Sequence, residues 1–353
     1  MYRKKILITG HTGFKGGWLG LLASMKGFQV FGLSDQAKNI SSYHYVKDVF
    51  DKEFFLDVSD RGGVERAIEN VAPDYVVHMA AESLVRRAAS DPIRTSQVNI
   101  LGSLHVLEAC YRANVESVLM VTSDKVYLNR EWGFEYREND RLGGKDPYSF
   151  SKAAADIVIQ GFIKFKQSAT NEGSDSTNVV IARAGNVIGG GDFSADRLIP
   201  DCISAWKSHS DAVIRHPRST RPWQHVVDVV AAYLQLVLTN GVSNRLNGQA
   251  FNVALNEHPM SVRSVVEKLA GEMNQSNLVK IDETDNELEA SLLSISSARL
   301  ASEVGFNNRI SQLLAINWTA EWYNQYINAA TEQTLRHIME SQLVKYDKQD
   351  SLT

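Results

Sequence analysis

A chain of 353 residues, 44% apolar and 22% charged, is long enough to bury a large core, so we expect one large domain with a smaller one beside it. A formal net charge of -4 gives no field for a polyanion, which excludes general nucleic-acid binding as an expectation and leaves room only for a local phosphate site. Cys110 and Cys202 lack metal-ligand spacing, the apolar run behind Tyr2-Arg3-Lys4-Lys5 is too short for a secretion signal, and no stretch reaches membrane-spanning length; a reduced cytoplasm, without metal or membrane, is expected.

Ile6 to Ile8 read as a buried strand that runs into Gly10-His11-Thr12-Gly13-Phe14-Lys15-Gly16, with a helix starting near Gly13 and carrying Trp18 to Leu22. Glycines at this spacing permit a tight turn and let a pyrophosphate reach the helix N-terminus. That makes Gly10, Thr12, Gly13, Phe14, Lys15 and Gly16 candidate cofactor residues; without a ligand the stretch is simply a glycine-rich helix start. Gln29 to Leu33 form a second strand. Asp35 then stands where an acidic residue holds an adenosine ribose, which favours NAD over NADP, with Lys38 close behind. Phe54 to Val58 supply a third strand, and Asp57 beside Val58 is either an acceptor for an adenine amino group or the N-cap of the next helix. In the fourth strand and its loop, Asp74 to Glu82, the small Ala80 and Ala81 let the backbone pass beneath a dinucleotide, and Glu82 opens a segment through Arg86 able to reach sugar or phosphate. His78, directly behind buried valines, reads as a satisfied core or supporting residue. Asn99 braces the backbone ahead of a helix from Leu104 to Ala113.

The stretch Val118 to Val121 is a central strand ending in Thr122, Ser123, Asp124 and Lys125, and polar groups at that end of a parallel strand face the ligand crevice. Tyr148 and Lys152 are four apart on a helix opened by Pro147, a spacing at which the ammonium would lower the phenol's pKa and hold a ribose. A turn or a cap would use the same residues locally. The loop Arg130 to Asp140 is placed to cap a small pocket, Gln167 to Asn178 reads as an exposed connection, and Val179 to Arg183 return to the sheet. From Ala184 the composition changes. We expect residues 1–183 to form the cofactor domain, 184–335 mainly a substrate domain with segments returning to the first, and 336–353 a C-terminal tail, frayed from Lys345. Arg197, Arg215 and Arg221 are spaced guanidinium groups suited to a diphosphate, with Trp223 an apolar wall, although arginines beside prolines also tie loops to carboxylates. Phe251 to Ala254 suggest a strand, and helices are expected from near Ser261, over Leu292 to Gly305 and over Leu313 to Tyr323.

Taken together, Gly10 to Gly16, Ser123 to Tyr127, Asn129 to Trp132, Leu142 to Ser149, Arg183 to Asp192 and Arg221 to His225 resemble the extended short-chain dehydrogenase/reductase family over residues 4–325. The resemblance implies an α/β fold: a doubly wound parallel-sheet Rossmann domain holding NAD, a smaller mixed α/β domain for a nucleotide-sugar substrate, and a homodimer or homotetramer. It implies that Tyr148, assisted by Lys152, takes the proton of the sugar 4-hydroxyl while Ser123 bonds the same oxygen. Asp124 would then protonate a departing C6 hydroxyl, and Lys125 occupies the position of C5 proton abstraction. It further places Arg86, Asn186, Arg197, Leu198, Arg215, Arg221 and His225 on the substrate. Lys125 fits the branch acting on CDP-linked glucose, whereas Glu82 resembles the branch acting on dTDP-linked glucose. As a base Lys125 needs desolvation or a neighbouring cation; protonated, it would stabilise the enolate instead. A 4-epimerase would share Ser123, Tyr148 and Lys152 without needing Asp124 or Lys125, and a silent nucleotide sensor would keep only the fold.

Overall fold

The computed structural model describes residues 3–35, 40–169, 177–282 and 292–349; Lys38, residues 170–176 of the expected connection and the last four residues of the expected tail lie outside the described residues. Seven strands make the main sheet. They are β1 (Lys5–Thr9), β2 (Gln29–Ser34), β3 (Lys52–Phe55), β4 (Tyr75–His78), β5 (Ser117–Val121), β6 (Asn178–Ala184) and a last strand, Ala250–Val253. Their order across the sheet is last strand, β6, β5, β4, β1, β2, β3, and every neighbouring pair is parallel.

Both faces are covered, which is why the central strands read as unbroken apolar runs rather than alternating ones. Ile6, Ile8, Val77, Leu119 and Val180 face one core together with Trp18 of helix Phe14–Met25 and Val230 of helix Val226–Val242. Leu7, Val76, Val118 and Met120 face the other, beside Val64 of helix Arg61–Val71, Val106 of helix Ser103–Arg112 and Ile159 of helix Pro147–Ala169. The chain winds one way from β1 to β3 and the other way from β4 to the last strand. The reversal between β1 and β4 opens a crevice at the strands' C-terminal ends, which is where this topology binds ligands.

Beyond Ala184 the chain builds a second, mixed part. Ala212–Ile214 pairs in parallel with Val279–Ile281, and Thr220–Arg221 pairs antiparallel with Met260–Ser261. Helices Leu198–Lys207 and Val262–Glu272 lie in this part, the latter capped by Ser261, which accepts from the Ser264 N–H.

Three boundaries differ from expectation. The third strand ends at Phe55, so Asp57 lies beyond it, and the N-cap of helix Arg61–Val71 is Asp60, which accepts from the Gly63 N–H at 3.0 Å. Leu292 to Gly305 is helical only over Ala298–Val304, because Leu293 and Ile295 are drawn in extended form into a small core with Tyr127 and Tyr136. Residues 336–349, expected as tail, belong to helix Glu332–Gln349. Leu335, Met339, Leu343 and Tyr346 recur at helical spacing and are buried, forming a narrow stripe that a mostly polar composition conceals.

Burial of two imidazoles links this fold to pH. His78 and His225 are each pushed down to about 3 from 6.5 by desolvation. As pH falls below 6.5 the unfolded chain therefore takes up protons at both that the folded protein refuses, and stability declines. Asp228, raised by burial to about 6 from 3.8, works in the opposite sense over its own window. Burial lowers His11 in the same sense as these imidazoles and raises Asp201 in the same sense as Asp228; with three imidazoles against two carboxyls the thermal midpoint should fall between about pH 7 and about pH 5, and His225→Asn should remove about one proton from the slope of stability against pH.

Candidate active site

The crevice begins at the glycine turn. Gly10 has φ +74°, and a Cβ there would lie 2.8 Å from the Ala80 nitrogen; a Cβ on Gly16 would lie 2.4 Å from the Gly10 carbonyl oxygen. Gly13 caps helix Phe14–Met25 without any side chain bonding the first turn, so its N–H groups point at the crevice uncovered. A negatively charged pyrophosphate fits that cradle, with the Thr12, Phe14 and Lys15 backbone around it. Behind the turn, His11 Nε2 lies 2.9 Å from Glu53 Oε1, which also accepts from the Tyr43 hydroxyl at 2.6 Å. Ser34 Oγ takes the Thr12 N–H at 3.3 Å.

A second set of bonds holds the β4 loop beneath the same space. Thr9 Oγ1 accepts the Met79 and Ala80 N–H groups, both at 3.1 Å, and so gives its own hydrogen to His78 Nδ1 at 2.7 Å. His78 Nε2 then donates to Ser103 Oγ at 3.1 Å, since that hydroxyl donates to the Asn99 carbonyl at 2.6 Å. The Asn99 side chain accepts from the Glu82 N–H at 2.8 Å and donates to the Glu82 carbonyl at 3.0 Å, while the Glu82 carboxylate pairs with Arg87 at 3.1 Å. His78 is thus the supporting residue its position suggested. Thr9, Glu53 and Ser34 were missed; the one signal available was a hydroxyl residue closing each of two apolar strands.

Asp35 follows β2 directly and is exposed, and Ala81 is half-buried beside Ala80. Asp57 is committed to protein partners: it pairs with Arg94 and accepts from the Ser59 N–H and hydroxyl at 2.8 and 2.7 Å. The Val58 side chain is buried against Gly102 and its carbonyl faces His105 Nδ1 at 3.0 Å, so all it offers a ligand is its N–H.

The end of β5 carries the reactive groups. Ser123 Oγ accepts from the Lys125 N–H at 3.2 Å, donates to Asp124 Oδ1 at 2.9 Å and acts on the Tyr148 phenol. Tyr148 sits in the first turn of its helix, where Asp146 accepts its N–H at 3.0 Å, and the Lys125 ammonium lies 5.8 Å from the centre of its ring. The Lys152 ammonium donates to the Val121 carbonyl at 3.1 Å, and burial lowers its pKa to about 8 against the pull of Asp156. Burial also raises the Tyr148 phenol, outweighing the neighbouring Ser123 hydroxyl, which would favour the ionised form on turning its hydrogen from Asp124 to the phenol, and the Arg197 cation. The expected depression of the phenol is therefore not produced by the protein alone: desolvation of the phenolate is the larger effect.

This end of the site is clamped from behind. Asp156, one turn beyond Lys152, takes two hydrogen bonds from the buried Arg183 of β6, at 2.9 and 2.7 Å, and one from Thr122 Oγ1 at 2.9 Å. Arg183 also donates to the Tyr127 hydroxyl and the Glu138 carbonyl at 3.0 and 2.8 Å.

The substrate-side residues divide. Arg197 precedes Leu198, the first residue of helix Leu198–Lys207, lies 3.6 Å from Asp192 and acts on both Tyr148 and Lys15. Arg86 pairs with Asp196 at 2.6 Å, and Arg86 and Arg215 both act on Asp201 in that helix's first turn, so three guanidinium groups gather around one helix start. Asn186 meets the Gln224 N–H through its carbonyl at 3.3 Å, and Arg221 is nearly buried, bonding the Thr220 carbonyl at 2.8 Å. His225 departs from expectation. It is fully buried, its Nδ1 accepts the Val227 N–H at 3.3 Å as a helix cap, and its ring packs edge-on to Trp18 and Trp318; a packing role has taken it away from any substrate. Trp223 likewise belongs to the core, donating to the Met260 carbonyl at 3.1 Å.

Lys15 reaches further than its place in the turn suggested. Its ammonium lies 3.4 Å from the buried Tyr233 hydroxyl, and burial, with Arg197 and Lys152 adding to it, lowers its pKa to about 8 while Asp124 and Asp192 resist. Tyr233 was missed because it sits inside the apolar helix Val226–Val242 and reads there as core.

A dinucleotide cradle opening onto an ionisable Ser, Tyr and Lys set is the equipment of a nicotinamide-dependent enzyme. Comparison with known proteins narrows this. Residues 6–254 match the profile of the NAD dependent epimerase/dehydratase family. A CDP-glucose 4,6-dehydratase of Salmonella typhimurium is 33% identical over 334 residues, covering 92% of this chain and 91% of that protein. Among solved structures, a UDP-glucose 4-epimerase of Thermotoga maritima superposes with TM-score 0.78 at 16% identity, covering 92% of this chain and 99% of the other. A dTDP-glucose 4,6-dehydratase of Streptomyces venezuelae does so with TM-score 0.76 at 20% identity, covering 93% and 99%. The chain belongs to the NAD dependent epimerase/dehydratase family, and NAD is the cofactor its glycine turn serves. Among the described residues no cluster of His, Cys, Asp and Glu is able to hold a metal ion, and no helix is long and apolar enough to cross a membrane.

Two alanine substitutions separate the turn's structural from its binding role. At exposed Gly13 a Cβ would meet only the Gly10 carbonyl oxygen, at 3.3 Å, so Gly13→Ala should melt like the parent yet bind NAD about tenfold more weakly by covering the helix N-terminus. Gly10→Ala should lose both stability and NAD binding, as read by thermal melts and calorimetric titration.

Proposed function

We propose that the protein is a CDP-glucose 4,6-dehydratase, converting CDP-D-glucose to CDP-4-dehydro-6-deoxy-D-glucose and water. The observation that carries this reading is the line Tyr148, Ser123, Asp124 at the end of β5, with the Lys125 ammonium over the Tyr148 ring. It joins the groups needed to oxidise a hydroxyl with a carboxyl group and an amine for which simple oxidation or epimerisation has no use. The 33% identity with a protein of that name supports the CDP-linked substrate, as does a lysine at position 125.

The Gly10 to Gly16 turn and Lys152 would hold NAD, which would supply the hydride chemistry that oxidises C4 of the hexose and reduces C6. Tyr148 receives the proton of the 4-hydroxyl, and Ser123 holds the same oxygen by a hydrogen bond. Burial resists the phenolate and the Arg197 cation works against that resistance, with Lys152 assisting from one turn along the helix. The C4 carbonyl acidifies the C5 proton, which Lys125 takes as the neutral amine and gives back to C5 when hydride reaches C6, while Asp124 as the carboxylic acid gives a proton to the departing C6 hydroxyl. Arg86, Arg197, Arg215 and Arg221 supply cations for the sugar's diphosphate, whose charge and geometry suit guanidinium groups.

Mass spectrometry after incubation with CDP-, dTDP-, UDP- and GDP-linked hexoses tests this. Loss of one water from CDP-glucose, with NAD unchanged overall, is expected; an unchanged mass with an inverted stereocentre would replace the reading by 4-epimerisation. Tyr148→Phe should lower turnover by about 10²–10⁴-fold. Lys125→Met should still reduce bound NAD but stop deuterium exchange at C5, and normal exchange in that variant would remove Lys125 as the base.

The same reading includes a homodimer. Phe150, Ile157 and Phe165 form one exposed stripe along helix Pro147–Ala169, and Ile93 and Leu101 stand exposed beside its start. A second copy of the chain covers that face. Sedimentation of the purified protein should give twice the monomer mass, and Ile157→Asp combined with Phe165→Asp should halve it.

A further inference from the structure

Helix Glu332–Gln349 lies far along the chain from the glycine turn, yet it is fastened to the segment that backs that turn. Arg336 pairs with Asp48 at 2.5 Å, Glu332 accepts from His44 Nε2 at 2.8 Å, and Asp347 pairs at 2.7 Å with Lys26, the C-cap of helix Phe14–Met25. Behind these polar contacts the Leu335 carbonyl accepts from Trp322 Nε1 at 3.2 Å, and the Trp322 ring meets the Tyr45 ring edge-on at 5.3 Å. The same segment reaches the turn through two hydroxyls: Ser41 Oγ donates to the Thr12 carbonyl at 2.6 Å, and Ser42 Oγ to the Phe14 carbonyl at 2.5 Å. Ser42 is fully buried in a slot that two glycines leave open, since a Cβ on Gly17 would lie 2.5 Å from its hydroxyl and one on Gly191 would lie 2.8 Å from its Cα.

We propose that helix Glu332–Gln349 is a strap that retains the cofactor: it braces residues 41–48 against the glycine turn and so sets how slowly the dinucleotide leaves the crevice. A trans peptide directs its carbonyl and its N–H to opposite sides, so the hydroxyl on the Phe14 carbonyl fixes, from behind, the N–H of the same peptide in the helix's first turn. That hydrogen bond also polarises the peptide and strengthens its N–H as a donor to phosphate. Ser42 is thus a positioning residue that acts through the turn. The strap's polar contacts with residues 44 and 48 are partly exposed and individually weak, so they yield without unfolding the protein. The inference rests on the family's use of NAD and not on the identity of the sugar, so a failed dehydration assay would leave it standing.

The test follows release of NADH from the full chain by its fluorescence, with excess NAD as the displacing probe, alongside thermal melts. Arg336→Glu, which sets like charges against each other at Asp48, should speed release about threefold while association keeps its rate, and adding Asp48→Arg should restore slow release. Ser42→Ala should speed release as well, and in its background Arg336→Glu should add little, because both act through one contact. A lower melting temperature with unchanged release in Arg336→Glu would make the helix a structural element only and overturn the proposal. Failure of the charge swap to restore slow release, or full additivity with Ser42→Ala, would overturn it too. If Arg336→Glu fails to melt cooperatively, Arg336→Gln is read in the same way, and unchanged release there overturns the proposal equally.

Discussion

Asp156 and Arg183 form an ion pair with almost no solvent exposure, and the geometry of the site hangs on it. The pair ties the helix that carries Tyr148 and Lys152 to β6, and Thr122 brings β5 to the same carboxylate. Tyr127 and Glu138 take two more of the guanidinium hydrogens, so neither charge is left without partners. A buried pair of this kind adds little net stability over an apolar pair, but loss of one member costs about 3–5 kcal/mol by stranding the other. What it provides is position: the phenol, the Ser123 hydroxyl and the Asp124 carboxyl meet because two strands and a helix are locked at one point.

The opposite wall of the crevice obeys a different constraint, close approach of backbone. Gly10 and Gly16 leave space that any side chain would fill, and the chain from Thr9 through His78 and Ser103 to Asn99 fastens the β4 loop below them. His78 can play this part only while neutral, since its Nδ1 accepts and its Nε2 donates. Its depressed pKa is the thermodynamic face of that arrangement.

Between these walls, burial disfavours the charged form of every reactive group it reaches. It raises Tyr148 and lowers Lys152 and Lys15, so each group sits nearer to exchanging a proton than it would in water, except the phenol, which is moved further away. The phenol faces the Arg197 cation, which opposes that shift. A phenol so placed ionises only when positive charge outweighs desolvation, as the proposed removal of a hydroxyl proton requires.

The parallel sheet, the glycine turn, the Ser123 to Lys125 strand end and the Tyr148 and Lys152 helix were all legible in the chain, because each is a local pattern: strand, turn and helix periodicities lie within a few residues. The substrate-side residues were legible only as types. Nothing local distinguishes Arg197, which reaches the centre, from Arg215, which stays exposed, or a ligand-facing histidine from His225, which caps a helix between two tryptophans. The helix Glu332–Gln349 escaped for a related reason, since its buried stripe is narrow and its partner, helix Gln312–Ile327, sets which face is covered. By itself, then, the sequence determined the sheet's character, the glycine turn and the candidate groups at the end of β5. Only the tertiary structure decided which charges share one desolvated space, because distances between residues as far apart as Lys15 and Tyr233 or Asp156 and Arg183 are set by packing and by no pattern along the chain.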